Sequence, residues 1–230
     1  MGFIGIICGL KSEAQAVAAV VDSAKIRVGV SGANAARAEE IAQGFCGEGA
    51  TAIVSIGVSG GLDPALQPGD LIFGRHVIGD DGARYDCDPH LSDVLRDDLA
   101  SRNAKTGALF GSDDIIESAA RKAALFQTHG CLAVDMESHG AARAASQHKV
   151  PFLAIRAIAD PADRALPKAA LGAVAPDGST LVLKTLGAAL RDPKQFPELL
   201  KLGADSAAAT KTLSRDLGLL FGSLFLSLDL

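Results

Sequence analysis

The 230-residue chain predicts an α/β protein with a mixed, mainly parallel central sheet flanked by helices in three layers. Short apolar, β-rich runs recur from Phe3 as far as Ala159. Helical patterns separate most of them, as crossovers between parallel strands require. One stretch, Ala52 to Ile78, holds two such runs with no helix between them, which predicts some antiparallel pairing.

Taken in order, Phe3–Cys8 is a continuous buried strand and Ile26–Val30 a second, closed by Ser31-Gly32. Ala33–Gly44 follows as an amphipathic helix, with Arg37, Glu39 and Glu40 on its polar face. Ala52–Ile56 is a third strand, ending in "GVSGGLDP", and Leu71–Ile78 a fourth after the turn "LQPGD". Gly79–His90 reads as a polar loop and Leu91–Arg102 as a helix. Thr106–Phe110 is a strand, and Asp113–Thr128 a helix with Ser112 as its cap. Strands Leu132–Asp135 and Pro151–Ala159 flank a helix over Glu137–His148. From Ala162 the chain is helix-rich, with helices near Gly178–Leu190, Pro193–Leu200 and Ala204–Leu226. No repeat or linker divides it, so residues 1–230 are expected to form a single domain.

The net charge of −5, without a basic stripe, excludes nucleic acid as the expected partner, and the absence of Trp argues against base-stacking platforms. The four cysteines form no CxxC pair, which points to free thiols in a reducing, cytoplasmic setting and to no zinc site. The apolar N-terminus lacks a basic leader and reads as a strand. No G-x-G-x-x-G, P-loop or nucleophile-elbow motif is present, and the histidines read mostly as surface residues.

The chemistry lies at four strand ends, where open parallel sheets converge on a crevice. "CGLKSEAQAV" carries Glu13, "GVSGGLDP" is glycine-rich, "VDMES" carries Asp135 and Glu137, and "IRAIADPAD" carries Asp160. Singly, each acid has a plain reading as a helix-start or turn residue. Together, Glu13, Glu137 and Asp160 with a glycine-rich loop make a site pattern.

In this order and spacing, the four stretches resemble the purine nucleoside phosphorylase/nucleosidase superfamily, in particular its 5′-methylthioadenosine/S-adenosylhomocysteine nucleosidase branch. "CGLKSEAQ", "VSGANAARAEEIA" and "GVSGGLDPALQPGDLI" further resemble the hopanoid-associated phosphorylase group, which acts on adenosylhopane. The resemblance implies a phosphorylase/hydrolase-like fold and cleavage of a purine N-glycosidic bond with release of adenine. It implies Glu13 as activator of the attacking nucleophile, Asp160 as proton donor to the purine, and Arg156 near both. It places Ser59, Gly60 and Gly61 beside sugar and base, Met136 against the sugar, Glu137 on the ribose hydroxyls, and Ile115 and Ile116 against adenine, where nucleosidases carry an aromatic.

Several positions depart from the phosphorolytic relatives. Ser55 stands where they carry a phosphate-binding Arg, Val58 where they carry a phosphate-binding Ser, and Ala159 where a Ser precedes the acid. Water and phosphate both stay open as nucleophile; no cofactor is expected, with phosphate as the conceivable co-substrate. The expected substrate is a purine nucleoside, free or lipid-linked, with an apolar 5′ group. Methylthioadenosine/adenosylhomocysteine hydrolysis and a non-catalytic nucleoside-binding role are the alternatives. The resemblance also implies a homo-oligomer. The Leu- and Phe-rich end, Asp216–Leu230, reads as core, subunit interface or membrane-surface contact, and Gly79–His90 as a candidate lid.

Overall fold

The structure, a computed structural model, describes residues 2–21, 24–181, 185, 190 and 192–230. Its strands are β1 (Phe3–Cys8), β2 (Ile26–Val30), β3 (Ala50–Gly61), β4 (Leu71–Gly79), β5 (Arg84–Asp86), β6 (Lys105–Gly111), β7 (Ala133–Asp135) and β8 (Phe152–Asp160). The sheet runs β2-β1-β3-β7-β6-β4-β5, and β8 pairs with both β3 and β4, which bends its middle into a closed ring. Five pairings are parallel; β3–β7, β4–β5 and β4–β8 are antiparallel. The mixed, mainly parallel sheet predicted from the sequence is thus observed, although β3 and β4 do not pair directly.

Helices α2 (Ala35–Gly47) and α6 (Ser138–His148) pack together on one face. On the other lie α1 (Lys11–Ala18) and α7 (Phe196–Ser227). All residues of β1 and β8 are buried, as expected of strands covered on both faces.

Several elements differ from the sequence reading, each for a local reason. Within the expected loop Gly79–His90, Asp81 Oδ1 accepts from Ala83 N (2.9 Å), and the resulting turn pairs β5 with β4 as a hairpin. The helix expected over Leu91–Arg102 breaks at Leu95 into α3 (Pro89–Val94) and α4 (Arg96–Ser101). The helix expected from Asp113 starts later, as α5 (Ala119–His129), capped by Ser118. Ser112 caps no helix; its hydroxyl donates to Asp80 Oδ2 (3.0 Å) and accepts from Asp114 N (3.3 Å), and residues 112–118 run irregularly to the functional site. The two C-terminal helices are one: Gly203 is carried inside α7. Of the helix expected near Gly178–Leu190, residues 182–184 and 186–189 lie outside the described residues, and Thr180 instead bridges to Val174. His139, on α6, is buried rather than at the surface. Among the described residues, no helix is long and apolar enough to cross a membrane.

Candidate active site

The C-terminal ends of β1, β3, β7 and β8 open onto one cavity of about 560 Å³, a volume suited to a small ligand. Register sets its geometry. At the end of β3, Gly60 pairs with Val134 of β7 on one side and Asp160 of β8 on the other, across an irregularity at Ser59/Gly60.

Beyond β1 the chain turns through Gly9 into α1, and Glu13 reaches back over that turn. Its Oε2 accepts from Gly9 N and Leu10 N (2.9 Å each) and its Oε1 from Val58 N (2.8 Å). A helix-start Glu satisfying the preceding backbone is ordinary capping chemistry; here it also ties β1 to β3. Burial pushes the Glu13 carboxyl above its usual range, against the pull of the Val58, Leu10 and Gly9 amides. A carboxylate has about four acceptor positions, so three bonds leave one open on a residue that lines the cavity.

Asp135 ends β7 and starts α6, accepting from Glu137 N (2.9 Å), Ser138 N (2.7 Å) and Ser138 Oγ (2.7 Å). That turn aims Glu137 at Gly9, where a Cβ would lie 2.4 Å from Glu137 Oε1, so a larger residue there would displace the Glu137 carboxyl. Behind the acids lies Arg156 of β8, fully buried. Its Nη2 donates to Ser55 Oγ (2.6 Å), Ser138 Oγ (2.7 Å) and Asp135 Oδ1 (3.1 Å), and stands 3.7 Å from Glu137 Oε2. Burial acts against ionisation of Asp135, but the Arg156 guanidinium outweighs it and holds the carboxyl below the usual range. Glu137 goes the other way: burial first, then the Asp135 charge, push it up to about 8.

Asp160 stands over Gly60, and burial raises its carboxyl above the usual range. Lys122 of α5 forms a buried ion pair with it from behind. Ser59 Oγ, at the cavity wall, is buried without a protein partner, an arrangement that calls for a ligand or water partner. Ile115, exposed, and Ile116, buried, line the cavity with Met136.

Of the residues singled out in the sequence, Glu13, Ser59, Gly60, Ile115, Ile116, Met136, Glu137 and Asp160 meet at the cavity. Arg156 and Gly61 do not reach its wall: Arg156 lies under the acids, and a Cβ on Gly61 would lie 3.3 Å from Asp160 O. Ser55 is also interior, while Val58 is at the wall. Segment Gly79–His90 contributes nothing to the lining. The mouth is instead formed by Leu166 to Thr180 and by Leu202, Ser206, Ala207 and Thr210 of α7. Sequence reasoning missed both walls and Lys122. The signal for Lys122 was a lysine at helical spacing from Leu125 and Phe126, interrupting the apolar face of α5. Among the described residues, no group of His, Cys, Asp or Glu is arranged to hold a metal.

The chain has relatives among known proteins. Futalosine hydrolase of Streptomyces coelicolor is 29% identical over 125 residues, 47% of this chain and 53% of that protein. A 5′-methylthioadenosine/S-adenosylhomocysteine nucleosidase of Staphylococcus epidermidis is 28% identical over 127 residues, 47% of this chain and 56% of that protein. The chain thus spans about half the length of these relatives. The solved 5′-methylthioadenosine/S-adenosylhomocysteine nucleosidase of Helicobacter pylori superposes with a TM-score of 0.72 at 16% identity, covering 97% of each chain, so the fold is shared throughout. Residues 21–190 match the phosphorylase superfamily, and the chain belongs to that superfamily.

Proposed function

We propose that this protein hydrolyses the N-glycosidic bond of a purine nucleoside, releasing adenine from an adenosine that bears an apolar 5′ group. The observation that carries the reading is the charge of the cavity. Glu13, Glu137 and Asp160 converge on it, and no Lys or Arg lines it among the described residues. A phosphate dianion would face carboxylates with no cation at the wall, because Arg156 is committed to Ser55, Ser138 and Asp135 beneath the acids and Lys122 to Asp160, whereas water needs only a base and a place.

Glycosidic cleavage passes through an oxocarbenium-like state. Glu137, against the ribose hydroxyls, stands beside that cation; its carboxyl, raised to about 8, is drawn to ionise as the positive charge develops, so the interaction strengthens in the transition state. Asp160 gives its proton to the leaving purine as the C–N electron pair moves onto the base. Water, held by the remaining acceptor position of Glu13, bonds to the anomeric carbon and loses a proton to that carboxylate. Solvent then restores both acids. Ser59 Oγ supplies a further hydrogen bond to the sugar or base. Leu166, Ala170, Ala173, Val174, Leu202 and Ala207 favour an apolar 5′ substituent, and adenosylhopane would extend its tail outward between them.

Adenine release from methylthioadenosine and from an adenosine with a long apolar 5′ group, each with and without phosphate, tests this. Release independent of phosphate and faster with the long group is expected; strict dependence on phosphate overturns the hydrolytic reading, and equal rates the apolar preference. Asp160→Asn should lower kcat by at least about 10²-fold with KM nearly unchanged. Unchanged turnover would remove Asp160 from its role.

A further inference from the structure

The buried amine behind the acid carries an inference that rests on the proposed role of Asp160. Lys122 is the only lysine among the described residues with a fully buried side chain, 1% exposed. Its Nζ has three acceptors: Asp160 Oδ2, Pro161 O (2.9 Å) and Arg164 O (3.1 Å). An ammonium has three protons to donate, so the group is satisfied where it stands. It is absent from the cavity wall, and its three contacts all fall on the end of β8 and the segment after it. An apolar side chain like its neighbours Leu125 and Phe126 would pack the same face of α5 without the cost of burying a charge.

We propose that Lys122 is a positioning residue for the proton donor: it holds Oδ2 of Asp160 from behind, so that Oδ1 alone is presented to the base. Lys122 transfers no proton itself. It stays an ammonium throughout and stabilises the carboxylate left when Asp160 has given its proton up, which makes Asp160 a stronger acid than burial alone would leave it. Besides Lys122, the charges acting on Asp160 are Arg164, which favours ionisation, and Asp205 of α7, which opposes it. Those two are ion-paired to each other, so Lys122 supplies the main unshared charge.

Asp160 works only while protonated, so activity falls as pH rises through its pKa. Removing an opposite charge in contact with a carboxyl raises that pKa by about 1–3 units. Lys122→Met should therefore move the alkaline limb of kcat/KM up by that amount, while lowering kcat about 10- to 100-fold; Lys122→Arg should keep the limb in place. A merely structural role would lower the amount of active protein without moving the limb. If Lys122→Met does not fold, the carboxyl of Asp160 can be titrated by ¹³C NMR in wild type and in Lys122→Gln, with the same upward shift expected. An unmoved limb and titration, with Asp160→Asn inactive, overturns the role of Lys122 and leaves that of Asp160 standing. An active Asp160→Asn overturns the acid assignment and this inference with it.

Discussion

At the floor of the cavity, Asp135, Glu137 and Arg156 are locked to Ser55, Ser138 and the start of α6 by buried hydrogen bonds. At the mouth, small and aliphatic side chains from two segments face each other. The segment Leu166–Thr180 is held mainly through its backbone: Leu166 N donates to Glu117 O (2.8 Å), Ala169 N to Gln195 Oε1 (2.9 Å) and Lys11 N to Gly178 O (2.9 Å), while the exposed Lys11–Asp177 ion pair adds little. The contrast separates two tasks. Charge must be placed to within a fraction of an ångström where bonds break, so the floor is rigid. Discrimination between apolar substituents needs only volume and contact, so the mouth is built of residues that change at small cost.

The sharpest way to break this contrast is Arg156→Met. It leaves Asp135 and Glu137 buried without their cation, a change that costs about 3–5 kcal/mol. A large fall in thermal midpoint with loss of activity is expected by calorimetry; a wild-type midpoint would show that the floor is not the stabilising network described.

Next in size is Glu137→Gln, expected to lower kcat on the order of 10²–10³-fold, as the loss of one electrostatic partner of a transition state does. It also carries a pH signature. The carboxyl sits at about 8 in the folded protein against a reference value of 4.5. Between those values the folded state binds the extra proton, so the wild type loses stability as pH rises through that window. The neutral amide has no such loss. Melting curves should place Glu137→Gln above wild type beyond about pH 8 and level with it near pH 4.5. A constant gap at all pH values would mean that Glu137 is not the group titrating.

The smallest effect belongs to the mouth. Ala173→Phe should raise KM for a long apolar 5′ substituent about tenfold, the worth of a few lost apolar contacts, while adenosine itself is cleaved at the wild-type rate. Equal losses for both substrates would mean that the mouth and floor are not separable.

Much of the site was legible in the sequence because its parts are local. Gly9 with Glu13, Gly57–Gly61, Asp135 with Glu137, and Asp160 each fall at the end of an apolar run, and a strand end is where a parallel sheet opens. Asp135, read as ordering its turn, does so through Glu137 N and Ser138 N, and pairs with Arg156 as well. Arg156 itself could be placed near the acids but not beneath them, because a side chain's depth below a cavity is a property of packing. The boundary of α5 failed for a related reason: Ile115 and Ile116 fit a helical period, yet both are held at the cavity wall by an irregular segment anchored through Asp113 N on Asp80.

By itself the sequence determined the fold class, most strands and the identity of the acids, since alternation of buried runs with helical patterns and the chemistry of strand-end residues are written within a few positions of each other. The closed ring through β8, the pairing of Lys122 with Asp160 across 38 residues, and the union of Leu166–Thr180 with α7 into one mouth were decided only in three dimensions. Each depends on which distant segments share a buried volume, and burial, by withdrawing water from charges, sets both their partners and their protonation.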